Sequence, residues 1–154
     1  MYNSKRRVII LSTAIIIALL VVIVFLVLDR KGNMIKSKTG FELSEGMKIE
    51  EYEAGGLPGF RNHLEVRVHL MNSTAIDKAV DDFSTILANN GVEIPLESYE
   101  QSFKSAYDTA SLVPNPSSRV YINNGEYKGG LVTILICYEN NGADAYLYIY
   151  FDKE

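Results

Sequence analysis

The sequence predicts an α+β protein, with an N-terminal single transmembrane helix followed by an antiparallel β-sheet with two helices packed on one face. Three observations predict it. Residues Val8 to Leu28 form an unbroken run of twenty-one uncharged residues. Behind that run, segments in which apolar and polar side chains alternate every second residue surround two segments with apolar residues every three or four, the patterns of half-buried strands and amphipathic helices. Finally, the order strand, strand, helix, helix, strand, strand, strand lacks the alternation of a doubly wound parallel sheet. Helices segregated to one face of an antiparallel sheet are the natural layer arrangement for that order.

Within Val8 to Leu28 only Ser12 and Thr13 carry a polar side chain. At ~1.5 Å per residue the run reaches about 31 Å as a helix, the thickness of a bilayer's hydrocarbon core. Backbone groups find no water there, so a spanning segment must be helical. A cleaved signal peptide has an apolar stretch of only ~7 to 15 residues and ends at small residues. Here the run passes directly into Leu28-Asp29-Arg30-Lys31, which favours an uncleaved anchor, and no cysteine near its end suggests a lipoprotein. The flanking cations are Lys5, Arg6 and Arg7 before the span and Arg30 and Lys31 after it, with Lys36 and Lys38 further along. The first three form the tighter cluster, and the positive-inside bias then keeps the short tail in the cytoplasm and the C-terminal domain outside it. The chain thus divides into a short basic tail (1–7), a transmembrane anchor (8–28), a tether (29–40) and an acidic α+β domain (41–154).

The charge is unevenly distributed. Residues 32–154 keep ten of the fifteen basic residues and eighteen of the nineteen acidic ones, a net charge of −8. Such a surface repels phosphate backbones and anionic head groups, so nucleic acid is excluded as a partner. The partners expected are the lipid bilayer, through the anchor, and a protein or cell-envelope component.

Each element of the domain has a local signature. Asn33 to Thr39 is polar enough for a tether. Met47 to Glu53 alternates weakly and predicts a strand, followed by a loop at Ala54-Gly-Gly-Leu-Pro-Gly59. His63 to Leu70 alternates cleanly, with Leu64, Val66, Val68 and Leu70 on one face and His63, Glu65, Arg67 and His69 on the other, a strand with one wet side. Ile76, Ala79, Val80, Phe83, Ile86 and Leu87 form one helical stripe, with Ser73 or Thr74 to cap it and Gly91 to end it. A second helix is predicted over Tyr99 to Ala110, where Ser98 and Gln101 make a capping box and Tyr99, Phe103, Ala106, Tyr107 and Ala110 share a face. Pro114 and Pro116 prevent its continuation. Arg119 to Asn123, Leu131 to Tyr138 and Ala145 to Phe151 read as strands, with a tight turn at Asn124-Gly125 and a loop at Glu139 to Asp144.

Few constellations point to chemistry. Cys137, the only cysteine, excludes an intramolecular disulfide and an all-cysteine metal site, and inside an apolar strand it is expected to be an inert core thiol. His63 and His69 lie about 20 Å apart along one strand and cannot share an ion. His63 and Glu65 are close enough but lack further ligands, and Arg67 has Glu50 across the hairpin to pair with. No nucleophile elbow, phosphate loop, metalloprotease helix or calcium loop occurs. No catalytic residue, metal or cofactor is therefore expected, and the protein is expected not to be an enzyme. Asn72-Ser73-Thr74 matches a glycosylation sequon but also supplies a helix cap. Ala14 and Ala18 have a small-xxx-small spacing.

The tyrosines are more informative. Tyr146, Tyr148 and Tyr150 alternate with Leu147, Ile149 and Phe151, so the two sets point to opposite faces. If Ala145 pairs with Tyr138, the aliphatic set meets Ile136, Ile134 and Val132 beneath the helices, and the tyrosine row shares the other face with Cys137, Leu135, Thr133 and Leu131. Tyrosine rows suit recognition because each ring offers a large amphipathic contact at little entropic cost, which makes Tyr146, Tyr148 and Tyr150 the expected partner-binding surface. The functional expectation is a non-enzymatic, membrane-anchored binding or accessory module outside the cytoplasm. The alternatives are a cytoplasm-facing immunity or inhibitor protein on the same anchor, and an enzyme that modifies an envelope polymer.

Overall fold

The computed structural model describes residues 2–55, 62–102 and 110–153, with the side chains of part of the first helix left out. It contains α1 (Tyr2–Thr39), β1 (Met47–Gly55), β2 (Asn62–Leu70), α2 (Ser73–Ile86), β3 (Val92–Pro95), α3 (Leu96–Ser102), β4 (Arg119–Tyr127), β5 (Gly130–Glu139) and β6 (Asp144–Lys153). The chain divides into two compact units, residues 1–34 and 35–154.

In the first unit the described side chains of α1 are apolar and exposed from Ile15 to Ile23 and again at Leu26. Among the described residues no helix is long and apolar enough to cross a membrane. Within the run from Val8 to Leu28, the side chains of residues 8–12, 14, 24, 25, 27 and 28 lie outside that description. A spanning segment is thus not something the described residues establish.

The second unit is built on a six-stranded sheet in the order β1-β2-β6-β5-β4-β3, antiparallel throughout. Strong alternation fixes the register of its centre. In β6 against β5, Ala145 pairs with Tyr138, Leu147 with Ile136, Ile149 with Ile134 and Phe151 with Val132, as the alternation demands. A one-residue slip would turn every one of these side chains to the wrong face. On β2, Leu64, Val66, Val68 and Leu70 are all buried and continue the same face through pairing with Phe151, Ile149, Leu147 and Ala145. Helix α2 lies over this face with Ala75, Ala79 and Phe83 inward. Its start is capped by Asn72, whose Oδ1 accepts from the Ala75 amide at 2.9 Å, one residue earlier than Ser73. Its last helical residue is Ile86, with Ala88 behind it at φ +52°, well before Gly91.

The tether expectation does not hold for the end of α1. Helix α1 continues to Thr39, and Ile35, Thr39 and Phe41 are each fully buried. Phe41 stacks on Phe83 of α2, ring centroids 4.1 Å apart. Thr39 Oγ1 donates to the Ile35 carbonyl and accepts from the Phe41 amide. Lys38 donates to Asn62 Oδ1 and to the His63 carbonyl, and burial lowers its pKa. One inward turn of helix is enough to join the core, and Gly40 at φ +77° then turns the chain away.

Helices α2 and α3 do not share a face. Tyr99 of α3 packs with Val120, Ile122, Leu135, Cys137 and Tyr148 on the face opposite α2. The cause lies in β4 and β5, which are apolar on both sides in their central residues and need cover on both. Residues 103–109, into which the predicted second helix extended, lie outside the described residues, as do residues 56–61 of the predicted glycine-rich loop.

Turn chemistry shifts one hairpin. β4 runs through Asn124 and Gly125 to Tyr127, and the turn sits at Lys128 and Gly129, with φ +51° and +74°, the paired left-handed conformation that suits a two-residue hairpin. Gly125 is needed in the strand for a different reason: a Cβ there would sit 2.9 Å from Leu87 Cβ, where the end of α2 crosses the sheet. Asn140 and Asn141, also at positive φ, turn the chain from β5 into β6.

At the sheet edges, β1 carries an irregularity between Ile49 and Glu51, and β3 is only four residues long and ends at Pro95.

Candidate functional site

Helix α2 runs across its sheet face from β2 to β4, where Ser84 meets Tyr121 and Leu87 meets Gly125. There a cleft of about 570 Å³ lies beside the helix, within the size range of small-ligand sites. Ile76 and Val80 of α2 form one wall, and Ile136 with the rings of Tyr121 and Tyr138 forms the floor. The Tyr121 hydroxyl is 3.2 Å from Ser84 Oγ. Gly91 lies against the Tyr121 ring so closely that a Cβ would come within 2.1 Å of it. Four charged side chains surround the opening: Asp77 and Asp81 from α2, Glu93 from β3 and Arg119 from β4. Arg119 Nη1 is 3.2 Å from Glu93 Oε2, and its guanidinium lies 4.9 Å from the Tyr138 ring centroid. Among the described residues neither Asp77 nor Asp81 has a hydrogen-bond or ion-pair partner, while Lys78 between them is taken by Asp82 at 2.6 Å.

A second cluster occupies the opposite face over β1, β2, β6 and β5. Arg67 Nη1 donates to Glu51 at 2.8 Å, and Nη2 to Glu139 at 3.2 Å, with Glu50 more distant at 3.9 Å. Glu50, the predicted partner, keeps an ion pair at that longer distance, while the irregularity between Ile49 and Glu51 places Glu51 opposite Arg67 as the nearer one. The guanidinium lies 4.0 Å from the Tyr146 ring centroid. Burial alone would lower the Arg67 pKa, but its carboxylate partners raise it on balance. His69 stacks on Tyr146 with its two ring nitrogens 3.8 Å from Glu50 and from Asp144. With the cation already shared among its carboxylates, this cluster reads as a structural clamp across four strands.

The expected tyrosine surface has a different character. Tyr146, Tyr148 and Tyr150 do share one face, set against Cys137, Leu135 and Thr133. That face is covered at its centre: Tyr148 is only 3% exposed, and its hydroxyl donates to Glu139 at 2.8 Å. Tyr150 donates to the Leu112 carbonyl, and Tyr146 is half-buried beneath Arg67. Two of the three hydroxyls are thus committed within the protein.

The remaining expected residues are scattered. Glu65 accepts from the Leu112 amide at 2.9 Å, while Glu50 stands near His69. Among the described residues no group of three or more histidine, cysteine or acidic side chains is placed to hold a metal ion. Cys137 is buried, and burial pushes its thiol pKa far up. Arg30 is exposed, and Lys5, Arg6 and Arg7 lie on helical backbone with side chains outside the description.

Sequence reasoning missed the cleft, whose walls come from four elements between residues 76 and 138 and share no local pattern. The one available signal was Asp77 and Asp81 flanking the apolar stripe of α2. No protein-family model, no curated protein and no solved structure matches this chain.

Proposed function

We propose that this chain is a non-enzymatic, single-span membrane protein whose acidic α+β domain acts outside the cytoplasm as a binding module, with the cleft beside α2 as its ligand site. The observation that carries the reading is the outer surface of α1. Nine large apolar side chains, Ile15 to Ile17, Leu19 to Ile23 and Leu26, are each between 50 and 58% exposed. At helical spacing they face every direction, and a helix that is apolar all round belongs in a protein core or a bilayer. The uncharged run from Val8 to Leu28 has the length for the second.

A cysteine at Asn33, labelled in intact cells by a membrane-impermeant maleimide, tests the topology. Cys137 is buried, and burial raises its thiol pKa, so it adds little background labelling. Labelling before lysis supports the reading. Labelling only after lysis turns the domain to the cytoplasm, and recovery of the protein in the soluble fraction removes the anchor.

A further inference from the structure

The tripeptide Asn-Asn-Gly occurs three times, at 89–91, 123–125 and 140–142. Asparagine before glycine is prone to losing its side-chain amide, because glycine has no side chain to keep its own backbone nitrogen from reaching the asparagine Cγ. The fold treats the three copies differently. Asn124-Gly125 lies inside β4 opposite Thr133 and Val132, and a Cβ on Gly125 would sit 2.9 Å from Leu87 Cβ. Gly91 is wedged between the Tyr121 ring and the Ile122 carbonyl, where a Cβ would come within 2.1 Å of the ring. Around Gly142 a Cβ would meet nothing within 4 Å. Asn140, Asn141 and Gly142 are all exposed, with φ at +50°, +57° and +84°. Left-handed backbone at two successive non-glycine residues is strained, and a single 3-10 turn holds it. Opening that turn therefore costs less than opening a strand ladder. The Asn141 amide nitrogen donates to Ser117 Oγ at 2.9 Å and Asn140 Nδ2 donates to Asp144 at 2.6 Å, but among the described residues the Asn141 side chain makes no hydrogen bond. Its Cγ is free to swing toward the Gly142 nitrogen.

We propose that Asn141 is a self-modification site, at which the folded domain ages by deamidation to aspartate and isoaspartate while the other two copies are protected. The Gly142 nitrogen gives up its proton to solvent base and attacks Asn141 Cγ. The new N–Cγ bond closes a succinimide, the Cγ–Nδ2 bond breaks, and the nitrogen leaves as ammonia with a proton returned from water. Water then opens the ring. Addition at Cγ restores the main chain and leaves aspartate, whereas addition at the main-chain carbonyl leaves the chain running through Cγ as isoaspartate. The aspartate product suits the position, since aspartate tolerates the left-handed region as asparagine does. Isoaspartate lengthens the backbone between Glu139 and Asp144. Those two residues belong to the clamp: Glu139 accepts from Arg67 and from the Tyr148 hydroxyl, and Asp144 stands 3.8 Å from His69. Ageing at this turn thus loosens contacts that tie β2, β5 and β6 together, whatever the cleft binds and whichever side of the membrane the domain faces.

The purified full chain would be aged in mildly alkaline buffer made with heavy-oxygen water, folded in one arm and unfolded in urea in the other, and mapped by peptide mass spectrometry. In the folded arm heavy oxygen should enter at Asn141 at least about tenfold faster than at Asn90 or Asn124, a factor that modest local protection of those two sites supplies. In urea the three sites share one local sequence and should converge. The aged folded chain should melt at a lower temperature than the fresh one, in proportion to its isoaspartate content. Asn141→Gly, which suits the positive φ and carries no amide to lose, should melt alike before and after ageing. No heavy oxygen at Asn141, equal rates at Asn90 or Asn124 in the folded chain, or an undiminished lead for Asn141 in urea would each overturn the proposal. So would an age-dependent fall in melting temperature as large in Asn141→Gly as in the unaltered chain.

Discussion

Replacing Ile35 by alanine tests how far the folded unit reaches into α1. Ile35 is fully buried in the core beneath α2, although Met34 and Lys36 on either side of it are exposed. The substitution removes three carbons, worth about 2.4 kcal/mol of transfer free energy at ~0.8 kcal/mol each. Incomplete collapse of the resulting cavity adds to this, and the total expected is about 2.5 to 4 kcal/mol. Against a typical domain stability of about 5 to 15 kcal/mol that is a large fraction. Lys36→Ala is the matched control. It deletes a surface pair with Glu42, 2.8 Å apart with both side chains more than half exposed, and should cost no more than ~0.5 kcal/mol. The assay is urea denaturation of a fragment from Arg30 to Glu154, which keeps the whole second compact unit, followed by far-UV circular dichroism. If Ile35→Ala and Lys36→Ala shift the midpoint equally, the segment is a tether after all and the packing described for it is wrong.

Tyr148→Phe should cost about 1 kcal/mol by removing the hydrogen bond to Glu139. Tyr148→Ser and Ile149→Ser should both cost about 3 kcal/mol or more, since both side chains are buried, one on each face; paired denaturation curves in which Tyr148→Ser is near neutral would restore the tyrosine row as an open surface. Stability should also fall at alkaline pH. Burial raises the Cys137 thiol above its ordinary 9.0 and the Tyr148 phenol above its ordinary 10.0, and Glu139 pushes both further the same way. Their protonated forms are therefore favoured in the folded state, so the stability they confer is full below pH 9 and is lost as the unfolded chain ionises above it, at up to about 1.4 kcal/mol per pH unit for each group. Melting temperatures measured from pH 8 to 11 check this, and a C137A variant should flatten the first part of the decline.

Much of the domain was legible where one periodicity dominates. The alternation in β2 and β6 fixed their inward faces, and the Ile134, Ile136, Leu147, Ile149 register followed from it. The stripe of α2 was equally clear. Legibility failed where a short segment contributes a single inward residue. Ile35 and Thr39 sit among lysines, and one buried turn leaves no periodic trace in a segment of mostly polar residues. Burial of Tyr148 was hidden by chemistry, since tyrosine is at home both on a wet sheet face and beneath a helix. The better indicator was β5, where Leu135 and Cys137 alternate with Ile134 and Ile136. A strand apolar on both sides announces two covered faces. Asn124-Gly125 misled because glycine serves close packing as readily as turning, and here the contact with Leu87 claims it. The cleft was invisible because its lining comes from α2, β3, β4 and β5, segments distant in sequence.

The two borders of the sheet bear on how the domain behaves in company. Open strands are templates for further pairing, and proteins blunt them with charge, irregularity, brevity or proline. β1 uses the first two: Lys48, Glu50, Glu51 and Glu53 are exposed along it, and its ladder shifts register between Ile49 and Glu51. β3 uses the last two, with four residues and a terminal proline that has no amide hydrogen to donate. Neighbouring copies are thus given no continuous strand border to extend and meet like charge along β1. Such a domain can be packed densely without its sheets fusing into a larger array.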